Sequence, residues 1–147
     1  MNTIAQPSIT THESTALLGR ILVGIVFLSS GLSKLAAPVA TLRYISAMGL
    51  PLPLLGFAIA VLIEVGAGLV LNVGWRTRAV AALLSVFTVA TALIFHHQFG
   101  DQNQLIHFLK NIAMTGGLLQ IVAFGAGHFS VDARQIRPPF RAVACAA

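Results

Sequence analysis

Four long apolar stretches dominate the chain, at about residues 15–35, 53–73, 77–99 and 105–124. Each is about 20 residues long, the length a helix needs to cross a hydrocarbon core of ~30 Å. Backbone groups in lipid are satisfied only in helices or closed barrels. A barrel would need alternating strands of ~10 residues, and these stretches do not alternate. The breaks between them are polar and short. Asn72-Val73-Gly74-Trp75-Arg76 reads as a tight turn with an interfacial tryptophan, and Gly100-Asp101-Gln102-Asn103-Gln104 as a polar turn. The first break, residues 36–52, is longer and holds Pro38, Arg43, Gly49 and Pro51. Its 39–48 portion suits a short amphipathic helix lying at the interface. The pattern predicts an all-α fold, an integral-membrane four-helix antiparallel bundle over residues 15–124. An N-terminal tail (1–14) precedes it, and a loose basic tail (125–147) with Pro138 and Pro139 follows. No low-complexity tract or internal repeat interrupts this scheme.

Composition supports the membrane reading. Of 147 residues, 56% are apolar and only 9% charged, against ~25% charged in soluble domains. Mean hydropathy is +0.87. A soluble enzyme, a disordered chain and a nucleic-acid binder are disfavoured together. The nine Lys+Arg residues outnumber the four acidic ones but stand singly, as topology markers do. Arg20, Arg76, Arg78, Arg134, Arg137 and Arg141 fall on the side of the termini, and Lys34, Arg43 and Lys110 on the other. The bias predicts both termini inside, in the cytoplasm. The first 14 residues carry Glu13 and no Lys or Arg, so a cleaved signal peptide is not expected. The single cysteine, Cys145, excludes an internal disulfide, a dithiol pair and a Cys-ligated metal site.

Ionisable groups inside spans are expensive and tend to face partners in the bundle interior. Four fall here: Arg20, Lys34, Glu64 and Lys110. Glu64 sits near mid-membrane, roughly 14 Å from one boundary and 16 Å from the other at 1.5 Å per residue. Arg20 is its first-choice partner by depth and Lys110 the competitor, while Lys34, near a helix end, is free to snorkel. These charges read either as a proton-handling or ligand site or as a buried pair that fixes register. Helical spacing places Arg20, Gly24, Phe27, Gly31 and Lys34 on one stripe of the first helix. Ala60, Glu64, Ala67 and Gly68 share a face of the second, Ser85, Thr88, Ala92 and His96 of the third, and His107, Lys110, Asn111 and Met114 of the fourth. Close helix packing accounts for such stripes. A polar cavity near His96, His97, His107, Lys110 and Asn111 is the sharper reading. The histidines lack metal-ligand spacing, so no metal is expected and haem is disfavoured.

The runs Gly19-Arg20-Ile21-Leu22-Val23-Gly24, Gly31-Leu32-Ser33-Lys34-Leu35, Ile63-Glu64-Val65-Gly66-Ala67-Gly68 and Gly74-Trp75-Arg76-Thr77-Arg78, in this order, resemble the DoxX family. The segment His107-Phe108-Leu109-Lys110-Asn111, then Gly116-Gly117-Leu118-Leu119 and Gly127-His128-Phe129-Ser130-Val131-Asp132, continues the resemblance. It covers about residues 15–134. It implies a small bacterial inner-membrane protein, often labelled an oxidoreductase subunit, whose polar positions fall on Arg20, Lys34, Glu64, Arg78, Lys110 and Asn111. The expected function is thus the membrane subunit of a quinone-linked redox system. Glu64, Arg20 and Lys110 are the catalytic candidates, and His107, Lys110, Asn111, His96 and Lys34 the ligand-binding ones. The cofactor expectation is a quinone, and the partners are the lipid bilayer, a soluble redox protein and a second copy of the chain, with no nucleic acid. Alternatives are a non-catalytic membrane anchor or assembly module and, third, a small-solute or proton permease. No flavin or nicotinamide fingerprint is present, because the glycines lie within apolar helices with no preceding strand.

Overall fold

The computed structural model describes residues 9–136. All regular structure in them is helical. Helix α1 spans Ile9–Ala36, α2 spans Pro38–Ala47, and α3 runs over Pro53–Val73. Helices α4 (Thr77–Phe95) and α5 (Gln102–Phe124) follow, then the short α6 (Val131–Ile136). Four of these, α1, α3, α4 and α5, are long and apolar enough to cross a membrane. They alternate in direction and close a ring: α1 packs on α3, α3 on α4, α4 on α5, and α5 returns to α1.

Local sequence explains where the elements start and stop. Pro38 and Pro53 occupy first turns, where a missing N–H is harmless. Helix α3 ends on Gly74 at φ +77°, whose N–H bonds to the Val70 carbonyl at 3.0 Å. This is the left-handed glycine stop that side chains with a Cβ resist. Asp101 caps α5 by accepting from the Asn103 N–H at 2.7 Å.

Three boundaries differ from those the pattern predicts. Helix α1 begins at Ile9, within the expected N-terminal tail. Helix α4 stops at Phe95 and α5 starts at Gln102, so His96 and His97 stand in the turn rather than in the third helix. Hydropathy alone extends that helix through Phe99, but the Asp101 cap starts the next one early. The segment read as the start of a loose tail instead contains α6, folded back on the bundle. The Asp132 N–H donates to the Gly74 carbonyl at 2.9 Å. Residues 1–8 of the expected N-terminal tail and 137–147 of the basic tail, with Arg137, Pro138, Pro139, Arg141 and Cys145, lie outside the described residues.

The dry core sits in the half of the bundle nearer the termini. Phe27, Leu71, Ala81, Leu84 and Leu118 form it, flanked by Val23, Ile63 and Ile121 among others. Small residues let α1 and α3 meet closely. A Cβ on Gly31 would stand 2.6 Å from Val65 Cγ2 and 3.2 Å from the Val65 backbone nitrogen. In the middle of α3, Leu62–Ala67 is wound as π-helix. A π-turn inserts an extra residue and rotates the helix face after it, and such turns gather at functional sites. Glu64 sits inside this one.

Candidate functional site

Glu64 is 6% exposed, and its partner is Lys34. Lys34 Nζ lies 2.9 Å from Oε1 and 2.8 Å from Oε2, and it also donates to Ser30 Oγ at 2.9 Å. The three ammonium protons are thus all engaged. The pairing with Arg20 or Lys110 expected from depth does not form. A lysine at the end of its own span can turn inward as well as snorkel outward. The π-turn and the glycine contact at Gly31 bring the Glu64 carboxylate to the Lys34 side of α1.

Arg20 is buried, at 2% exposed, and does something else. Its Nη1 donates to the Ala126 carbonyl at 2.6 Å and its Nη2 to the Phe129 carbonyl at 2.7 Å. The planar fork of guanidinium suits two such acceptors. Asp132 completes this terminal end. Its Oδ1 accepts from the Arg76 N–H at 2.7 Å and its Oδ2 from the Thr77 N–H at 2.8 Å, so it caps α4 from across the chain. Burial opposes the charge of Asp132. The Thr77 and Arg76 N–H groups and the nearby Arg20 charge outweigh it and hold this carboxyl below its ordinary range. Arg76, which adopts the left-handed region at φ +46°, is held there by this carboxylate.

Around the Lys34–Glu64 pair lies a cavity of about 420 Å³, in the half of the bundle away from the termini. Its polar groups include Ser30, Lys34, Tyr44, Glu64, His96 and Asn111. Its apolar wall includes Ile45 and Leu50 over α3, and Phe87, Ile94 and Phe95 of α4. Helix α2 forms the cover. Ile45 is buried, and Tyr44 stacks on Phe95 with ring centroids 5.7 Å apart. The size lies within the usual ~300–1,000 Å³ of small-molecule sites, which are also mostly apolar with a few placed polar groups.

The predicted site residues divide. Lys34, Glu64, His96 and Asn111 line the cavity. Lys110 is exposed, about 100° around α5 from the inward Asn111, and His107, on the Asn111 face but near the start of the helix, is exposed as well. His107 still stacks on His96, centroids 5.0 Å apart, and His96 Nδ1 is 2.9 Å from Gln104 Oε1. His97 is exposed, and its Nδ1 lies 3.1 Å from the Ile94 carbonyl. Arg78, a position the family resemblance implies, is exposed and lies against Gly125. Among the described residues no cluster of three His, Cys, Asp or Glu could hold a metal. Ser85 and Thr88 are buried, but their hydroxyls donate to the Ala81 and Leu84 carbonyls of their own helix, so that stripe is packing. Ser30 and Tyr44 escaped the sequence reading. Ser30 stands four residues before Lys34, the spacing of helix-face neighbours, and that signal was available. Nothing in the sequence places Tyr44.

Comparison with known proteins agrees with this architecture. The profile of the DoxX family matches residues 15–97. The Escherichia coli protein named inner membrane protein YqjF is 36% identical over 118 residues, covering 79% of this chain and 88% of the relative. Inner membrane protein YphA, also from Escherichia coli, is 35% identical over 123 residues, covering 80% and 88%. No solved structure matches the chain. A matched profile, two relatives of nearly full coverage and four membrane-crossing helices lead to one conclusion: the chain belongs to the DoxX family and is a multi-pass inner-membrane protein.

Proposed function

We propose that the α1–α4 cavity binds the head of a membrane-dissolved quinone and that the chain is the membrane subunit of a quinone-linked redox system. The observation that carries this reading is an apolar, aromatic-walled cavity whose one charged feature is the Lys34–Glu64 pair. A quinone head fits that donor set. Its ring is flat and apolar, suited to a wall of Phe87 and Phe95, and its two oxygens accept hydrogen bonds.

Ser30 supplies one donor. Its Oγ accepts from Lys34, which leaves its own O–H to point at a ligand oxygen. Asn111, from α5, offers an amide N–H₂ to the other. Lys34 and Glu64 hold a proton donor and an acceptor side by side in a mostly apolar cavity. A bound quinone supplies reversible two-electron chemistry, and a soluble redox partner exchanges the electrons. With both termini in the cytoplasm, the site lies in the outer half of the membrane.

The test is purification in mild detergent followed by mass spectrometry of the solvent extract, then saturable binding of decyl-ubiquinone. The expected result is one quinone per chain. Ser30→Ala and Asn111→Ala should each weaken binding about fivefold, the worth of one ~1 kcal/mol hydrogen bond. Membranes carrying Glu64→Gln should lose quinone reduction at normal protein level. An extract with only phospholipid, and no saturable binding, refutes the proposal and favours a non-catalytic anchor, in which the ion pair only fixes helix register.

A further inference from the structure

A second concavity, of about 760 Å³, opens at the opposite end of the bundle. The first turn of α4 forms one wall and residues 124–135 the other. Arg76, Arg78, Phe124, Gly125, Asp132 and Gln135 are among its lining. Two features give it a distinct chemistry.

First, its lining carries net positive charge, Arg76 and Arg78 against Asp132. Both oxygens of Asp132 are spent on backbone N–H groups, and Arg20 stands behind it. Arg76 and Arg78 are exposed, and neither forms a salt bridge among the described residues. Second, the cleft straddles the membrane surface. Phe124, at the end of a spanning helix, is 79% exposed, and Trp75 is 45% exposed beside the arginines. Tryptophan marks the headgroup level. An occupant must therefore be anionic against the arginines and apolar along Phe124 and Ala79. A carboxylate on a soluble protein meets the first requirement and fails the second.

We propose that this cleft seats the phosphate-bearing headgroup of an anionic phospholipid from the leaflet on the side of the termini. Basic pockets at helix ends bind such headgroups, each arginine contributing about fivefold to binding. The walls are preformed. Arg20 fixes the Ala126 and Phe129 carbonyls, and Gly125, at φ +82°, leaves the Arg78 guanidinium room that a Cβ would crowd, at 3.3 Å from Nε.

The test uses the full-length protein, stripped of lipid in detergent, with equal phosphatidylglycerol and phosphatidylcholine, read by native mass spectrometry. One phosphatidylglycerol should be retained selectively. The double variant Arg76→Asn/Arg78→Gln should reduce that retention about thirtyfold, from two arginine contacts. Asparagine is chosen because it tolerates the left-handed backbone at position 76. Melting temperatures show that the variant is folded. Arg43→Gln, the same kind of charge loss at the other end, should leave retention unchanged. Equal retention of both lipids overturns the proposal, as does equal loss in Arg43→Gln, which would mean diffuse attraction. Displacement by millimolar inorganic phosphate as effective as by phosphatidylglycerol would overturn it in favour of a soluble phosphate ester.

Discussion

Replacing Arg20 by methionine isolates the lock between the first helix and the chain's exit. Methionine keeps the length and apolar stem but removes the fork. Two charge-assisted hydrogen bonds disappear, at 2.6 and 2.7 Å. Each is worth about 1.5–3 kcal/mol. The gross loss of roughly 3–6 kcal/mol is offset because a methionine is cheaper to bury than a guanidinium whose Nε has no partner. A net destabilisation of about 3 kcal/mol remains, since the Ala126 carbonyl stays buried without its donor. This should appear first as local opening of residues 125–136 rather than as global unfolding, because the core around Leu71 and Leu84 is untouched. Tryptic cleavage at Arg134, which is exposed on α6, reads that opening. Cleavage should accelerate about a hundredfold, which is ~3 kcal/mol in the opening equilibrium. Arg20→Lys should recover only part, since an ammonium lacks the fork. Glu64→Gln should not rescue Arg20→Met, because the two residues share no contact. Cleavage of Arg20→Met within threefold of the parent rate, or rescue by Glu64→Gln, would refute the assignment.

Other expectations follow from neighbouring geometry. Glu64→Gln alone should lower the melting temperature in detergent, as breaking a buried pair costs about 3–5 kcal/mol, reduced here because the Lys34 side chain is 26% exposed. The paired change Lys34→Met/Glu64→Met should restore most of it, and failure of that rescue would argue that the pair serves more than packing. Gly31→Ala should destabilise by about 1–3 kcal/mol through overpacking, since its Cβ would meet Val65 Cγ2 at 2.6 Å and Glu64 Cβ at 3.1 Å; thermal melts check it. The Asp132 carboxyl titrates below its unfolded value. Its contribution is therefore fully present above the ordinary carboxylate pKa of about 4 and is lost as pH falls through the lower folded value. Asp132→Asn should flatten the acid limb of a stability–pH curve; an unchanged limb would remove the role.

The bundle was readable because membrane crossing imposes a length and a hydropathy that no other fold needs. The inward stripe of α1 was readable for a similar reason: Arg20, Gly24, Phe27 and Gly31 are all buried, as one face of a 3.6-residue period requires. The charge pairing was not. Depth arguments rank partners along the membrane normal only, and they assume that a helix keeps one phase. The π-turn at Leu62–Ala67 breaks that phase at Glu64, and it leaves no mark in composition or hydropathy. The fourth helix failed differently. Lys110 and Asn111 fall within the width of one stripe, yet packing on α4 turns the Asn111 edge inward and leaves Lys110 exposed. Hydropathy cannot choose between two edges that are both polar. Helix α6 is hidden in the sequence because the charge of the exit segment and the prolines beyond it signal looseness. The anchors of that segment, two carbonyls and an aspartate, matter only once Arg20 and the α4 N-terminus are placed in space.

The Arg20 lock also sets a schedule for membrane insertion. Its acceptors lie 106 and 109 residues downstream. At ~5–20 residues per second of synthesis, the guanidinium enters the bilayer roughly 5–20 s before they exist. During that interval the first span carries an uncompensated cation near its leading end, held at the surface by water or lipid phosphate. Docking of the final loop withdraws that charge from the surface. Synthesis through residue 129 is thereby registered in the first spanning helix, and a nascent chain that stalls before residue 126 keeps that charge uncompensated.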